Sequence, residues 1–130
     1  MIGIVIVAHG SLAREYLAAM EHVVGPQAAA LSVEIASECD RPAKEAEILA
    51  AVEAVDTGDG VVVVTDLFGG SPCNLSLRSC CGRDRKMLYG ANLPMLVQLA
   101  KSRDKPLDEA VGDSVKAARQ YINSFNGPNR

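Results

Sequence analysis

Four short runs rich in β-branched and aliphatic residues recur along the chain: Gly3–Ala8, Leu31–Ala36, Gly60–Thr65 and Lys86–Tyr89. They start at 3, 31, 60 and 86, so the intervals are 28, 29 and 26 residues. Each interval is the length of one βαβ repeat: strand, turn and crossover helix. Helical patterns fill the gaps at Ser11–Val24, Arg41–Val55 and Ser71–Cys81. The first and third runs are continuously apolar rather than alternating, as expected of central strands covered by helices on both faces. Beyond the fourth run, Leu93–Arg103 reads as a helix with Pro94 in its first turn, and Asp108–Tyr121 as another. Tyr121–Phe125 reads as a further strand or as a helical end, and Asn126–Arg130 as a frayed tail. The alternation predicts an α/β fold, an open doubly wound sheet of parallel strands with helices on both faces.

A length of 130 residues fits one domain, spanning 1–130. Hydrophobic residues at 48% and charged residues at 22% supply a packed core and exclude global disorder. Aromatics are only 4%, too few for a base-stacking surface, and a net charge of -3 gives no basic footprint. No nucleic-acid partner is therefore expected. No apolar run approaches the roughly 18 residues a membrane span needs, and no secretory signal precedes the first strand, so a cytoplasmic protein without membrane insertion is expected. Cys39, Cys73, Cys80 and Cys81 contain no C-x-x-C and read as reduced, mostly buried thiols with no assigned role. With two histidines and scattered cysteines, no metal site is expected.

Ligands of open α/β sheets bind at the carboxyl ends of strands, where the strand order reverses. Polar and glycine residues concentrate at three such ends: His9-Gly10-Ser11, Asp66 to Asn74, and Gly90-Ala91-Asn92. The loop after the second strand, with Ser37, Glu38 and Asp40, is less specific. An imidazole at a strand end has one nitrogen free to act as nucleophile, base or ligand when an acceptor pins the other. Asp66 is the natural acceptor for His9. A capping histidine and a loop-capping aspartate are the competing reading. Gly69 and Gly70 let the backbone approach a ligand, Ser71 is a good N-cap, and Pro72 suits a first helical position. The following helix would aim free N–H groups at the loop, so the site fits a phosphoryl group carried on His9. The P-loop, the dinucleotide fingerprint and the nucleophile elbow are all absent from the sequence.

Strand–His9-Gly10, the T-D-x-x-G-G-S-P-x-N motif at Thr65–Asn74, and G-A-N-L-P-M-L at Gly90–Leu96 together resemble the mannose-type IIA domain of the bacterial phosphoenolpyruvate-dependent sugar phosphotransferase system (PTS). The resemblance implies four parallel strands in order 2-1-3-4, usually in a homodimer, with a C-terminal strand exchanged between subunits in some members. It implies a phosphocarrier in which His9 accepts a phosphoryl group from HPr and passes it to a IIB protein. Asp66 would orient His9, and Ser71 would sit at the phosphate-binding helix start, beside Gly10, Gly69 and Gly70. No cofactor is implied, since donor and acceptor both carry the phosphoryl group on side chains. Leu67, Phe68, Leu93, Pro94 and Met95 are candidates for a partly apolar partner rim, with helix packing the competing reading for Met95. Because the chain stops at Arg130 without a IIB domain, a stand-alone protein is expected, and a regulatory target is an alternative acceptor. The rival readings are the phosphocarrier subunit of dihydroxyacetone kinase, a small tetrapyrrole metal chelatase, a histidine phosphatase and a non-catalytic binding module. The chelatase needs a second metal-facing histidine where Asp66 stands, and the phosphatase needs an arginine where Ala8 stands.

Overall fold

A computed structural model describes residues 1–82 and 84–128. Four strands, β1 (Gly3–His9), β2 (Ala30–Ile35), β3 (Val61–Thr65) and β4 (Arg85–Leu88), form one parallel sheet in the order β2-β1-β3-β4. The connecting helices are α1 (Leu12–Val24), α2 (Arg41–Val55) and α3 (Ser71–Ser76), and α4 (Leu93–Lys101) and α5 (Leu107–Gln120) follow β4.

The continuous apolar runs became the two central strands because each side chain has a helical layer to enter. Ile4, Ile6 and Ala8 of β1, with Val62 and Val64 of β3, pack with Ala13 and Met20 of α1, Leu96 and Leu99 of α4 and Ala110 of α5. Val5 and Val7, with Val61 and Val63, face Ile48, Val52 and Val55 of α2 and Leu75 of α3. Full burial of each such aliphatic side chain contributes about 1.5–3 kcal/mol before entropy is counted. Gly3, at the start of β1, lies against the carbonyl of Val55, where a Cβ would collide.

Three elements depart from the sequence expectation. The helix expected over Ser71–Cys81 is α3 followed by a 3₁₀ turn, Leu77–Cys80. Ser76 donates its hydroxyl to the Pro72 carbonyl at 2.6 Å, and Ser79 to the Ser76 carbonyl at 2.7 Å. Such back-bonding competes with the helical ladder and tightens it. The fourth helix stops at Lys101 rather than Arg103, because Arg103 is buried and donates to the carbonyls of Ile2, Ala28 and Ala29. Tyr121 is a turn and 122–128 has no regular structure and joins neither edge of the sheet. The rest of the tail expectation, at 129–130, lies outside the described residues.

Candidate functional site

The chain leaves β1 for α1 on one face and β2 for α2 on the other, so the order reverses between β1 and β3. Val7 is in register with Thr65, which brings His9, two residues on, and Asp66, one residue on, to the same sheet end. One carboxylate oxygen, Asp66 Oδ2, accepts the main-chain N–H of His9 at 3.0 Å and lies 2.8 Å from the ring Nδ1. An ionised carboxylate only accepts, so Nδ1 carries the proton and donates it to Asp66, which leaves Nε2 as the free nitrogen.

Burial pushes the Asp66 pKa up, but the His9 main-chain and ring hydrogen bonds and the ring's charge bring it below the usual carboxylate range. Asp66 Oδ1 is buried without a hydrogen-bond partner. Tyr16 of α1 is near enough to feel the same charge: burial and then Asp66 raise its hydroxyl pKa, and it donates to the Ala91 carbonyl at 3.0 Å.

Gly70 faces the other side of the ring. A Cβ there would sit 3.1 Å from His9 Cε1 and 3.5 Å from Nε2, so only a bare backbone leaves the nitrogen accessible. Asn74 donates to the Gly69 carbonyl at 3.2 Å and ties the glycine loop to α3. Helix α3 has no side-chain cap, so its first-turn N–H groups are left for another acceptor. His9 is half exposed and opens into a cleft of about 450 Å³, lined also by Gly10, Ile35, Ser37, Cys39, Arg41 and Ser71. His9, Gly10 and Ser71 thus share one cleft, with Asp66 and Gly70 against the His9 ring.

The rim divides. Leu67 and Phe68 are exposed beside the site, and Phe68 stacks on Tyr89 with ring centroids 4.6 Å apart at 43°. Leu93 and Pro94 instead line a separate groove of about 290 Å³ with Val97, Ala117 and Tyr121, because α4 turns that face toward α5. Met95 is 3% exposed and belongs to the core, so its assignment to the rim is corrected. Asn92 explains part of the third motif: it caps α4 through the Met95 N–H at 2.9 Å and donates to the Ala118 carbonyl at 3.0 Å. Arg41, Cys39 and Tyr89 were not singled out from sequence for this site. Their one signal was position: Cys39 and Tyr89 follow β2 and β4, and Arg41 opens α2.

The family model described as the PTS system fructose IIA component, EIIA-man, matches residues 3–118. The chain belongs to the mannose-type PTS IIA family. Among curated relatives of this IIA protein, the mannose-specific EIIAB component of the PTS from Escherichia coli K12 is 30% identical over 132 aligned positions, which cover 95% of this chain. The chain spans 39% of that relative's length. A PTS EIIA component from Streptococcus agalactiae superposes with a TM-score of 0.78 at 28% identity, covering 96% of this chain and 98% of the other. The mannose/sorbose IIA subunit from Enterococcus faecalis reaches 0.85 at 24% identity, covering 99% and 98%, a likeness of fold. PTS IIA components are phosphotransferase proteins, and this IIA chain shares their four-stranded sheet in order 2-1-3-4. Among the described residues, no helix is long and apolar enough to cross a membrane.

Proposed function

We propose that this protein is a phosphocarrier: His9 Nε2 takes a phosphoryl group from phospho-HPr and yields it to a IIB protein or, alternatively, holds it as a regulatory state. The observation that carries the reading is the shared Asp66 oxygen, which pins the imidazole at both its main-chain N–H and Nδ1. In the transfer, the Nε2 lone pair forms a bond to phosphorus while the donor's N–P bond breaks, its electron pair returning to the donor ring. Nδ1 keeps its proton and donates it in a hydrogen bond to the Asp66 carboxylate, which stabilises the positive charge that develops on the ring. Gly70 clears the approach, and Gly69 and the first turn of α3, beginning at Ser71, cradle the phosphoryl oxygens through N–H groups, whereas the Gly10 N–H is already bonded to the Ile35 carbonyl. No metal or nucleotide takes part, because the phosphoryl group moves between side chains of similar transfer potential.

The exposed Leu67, Phe68 and Tyr89 form the apolar rim on which HPr and the acceptor dock, excluding water during transfer. The protein works in the cytoplasm, where its donor is. It is a homodimer: Ile122 and Phe125 are 71% and 90% exposed, and Ile122 lines a groove of about 290 Å³ with Met87, Val111 and Val115, beside the edge strand β4. The chelatase reading is disfavoured because Asp66 stands where that class needs its second metal-facing histidine.

The deciding experiment is intact mass after incubation with phosphoenolpyruvate, Enzyme I and HPr, comparing the wild type with His9→Ala. One acid-labile, alkali-stable phosphate on the wild type alone is the expected result. A wild type that stays unlabelled while HPr is phosphorylated would sink the reading.

A further inference from the structure

Arg41 stands in the His9 cleft, and neither the fold nor the reading above explains it. Ile35, the last residue of β2, pairs with His9, and its carbonyl accepts the Gly10 N–H at 2.8 Å. The chain leaving β2 therefore passes beside the imidazole before Asp40 caps α2 through the Ala43 N–H and Arg41 opens the helix. Since β1 lies between β2 and β3, the start of α2 flanks His9 on one side and the start of α3 on the other. Arg41 and Ser71 both line the cleft, and Arg41 is the only lysine or arginine that does so among the described residues.

Asp40, the N-cap of α2, spends its carboxylate on the Ala43 N–H. No carboxylate of the described residues lies within ion-pair distance of the exposed Arg41 guanidinium, which is therefore free to turn into the cleft.

A phosphoryl group on Nε2 brings about two negative charges at neutral pH into a site that already holds the ionised Asp66. The N–H groups of α3 offer only partial charges. A guanidinium offers a full charge in a fork matched to two phosphoryl oxygens. We propose that Arg41 is a phosphoryl-binding residue, swinging across the cleft to hold two oxygens of the group on His9. Arg41 exchanges no proton or bond in the transfer. The inference rests on the phosphocarrier reading and assigns it a residue from the β2 side of the sheet.

The test is a titration of phospho-HPr, made with phosphoenolpyruvate and Enzyme I, against the wild type, R41A, R41Q, R41K and H9A. Intact mass reads the equilibrium between the two phosphoproteins, and the isolated phosphoproteins give hydrolysis half-lives. Thermal melts show whether each variant is folded. The expected result is that R41A and R41Q still label on His9, with the equilibrium displaced toward phospho-HPr by about tenfold or more. R41K recovers part of that loss, and the difference between wild type and R41A narrows as salt is raised. Neutral variants that match the wild type to within about twofold in both readouts would overturn the role of Arg41 and leave the carrier standing. An unlabelled wild type beside phosphorylated HPr would overturn both.

Discussion

At the scale of single residues, the site turns on how Asp66 divides its two oxygens. Oδ2 serves the His9 main chain and ring, and Oδ1 is buried without a partner. Asp66→Asn keeps the shape and removes the charge, so Nδ1 is no longer assured of its proton and the developing positive charge loses its counterion. Labelling of His9 by phospho-HPr should slow on the order of 10²-fold, measured by rapid quench. Gly70→Ala tests geometry instead of charge. Its new methyl would stand 3.1 Å from His9 Cε1, tighter than an ordinary contact, and must tilt the ring away from the glycine loop. Labelling should slow by about tenfold or more while the thermal midpoint changes little. Asp66 also makes stability depend on acid. Its folded pKa lies below the unfolded value of about 3.9, so the unfolded chain binds more protons in that window. The stability it adds is complete above that value and is lost as pH falls through the folded pKa. Urea titrations below about pH 5 should show a shallower acid limb for Asp66→Asn than for the wild type.

At the scale of elements, Arg103 does more than end a helix. It is 6% exposed and donates to the carbonyls of Ile2, Ala28 and Ala29 and to Gln27 Oε1, binding the entry to β1 to the loop that enters β2. Burial lowers its pKa, yet the four acceptors keep the guanidinium worth holding in place. Arg103→Met would leave several buried carbonyls unmatched, at a cost of about 3 kcal/mol or more, and should lower the melting midpoint by roughly 10 °C. A midpoint within about 2 °C of wild type would refute this account of the clamp. Across the sheet, Arg85 has a similar duty, joining Asp56 at 3.1 Å to the carbonyl of Ser79 at 3.3 Å, and so fixes the 3₁₀ turn to the start of β4. These carbonyl partners are assembled from distant loops, and no periodicity in the sequence marks them.

At the scale of the whole molecule, the sheet is covered on both faces but β4 leaves one edge open, with exposed Tyr121, Ile122 and Phe125 beyond α5. Unpaired edges and exposed aromatic or aliphatic side chains are what a second copy would cover. Sedimentation should give twice the chain mass of 13.7 kDa, and Ile122→Asp with Phe125→Asp should halve it. A wild type that sediments at the chain mass would exclude the homodimer.

The sequence by itself determined the α/β class, the repeat, the two central strands and the convergence of His9, Asp66, Gly70 and Ser71. It could do so because continuous apolar runs have few ways to be buried, and because chemistry in such sheets collects at strand ends. Tertiary structure alone decided the rest. Met95 faces the core and Leu93 faces α5, since the rotation of α4 on the sheet is a packing outcome. Back-bonding from Ser76 and Ser79 shortened α3, and residues 122–125 pair with neither edge of the sheet. Arg41 entered the cleft because β2 ends in register with His9, a relation set by hydrogen bonds between strands rather than by any local pattern.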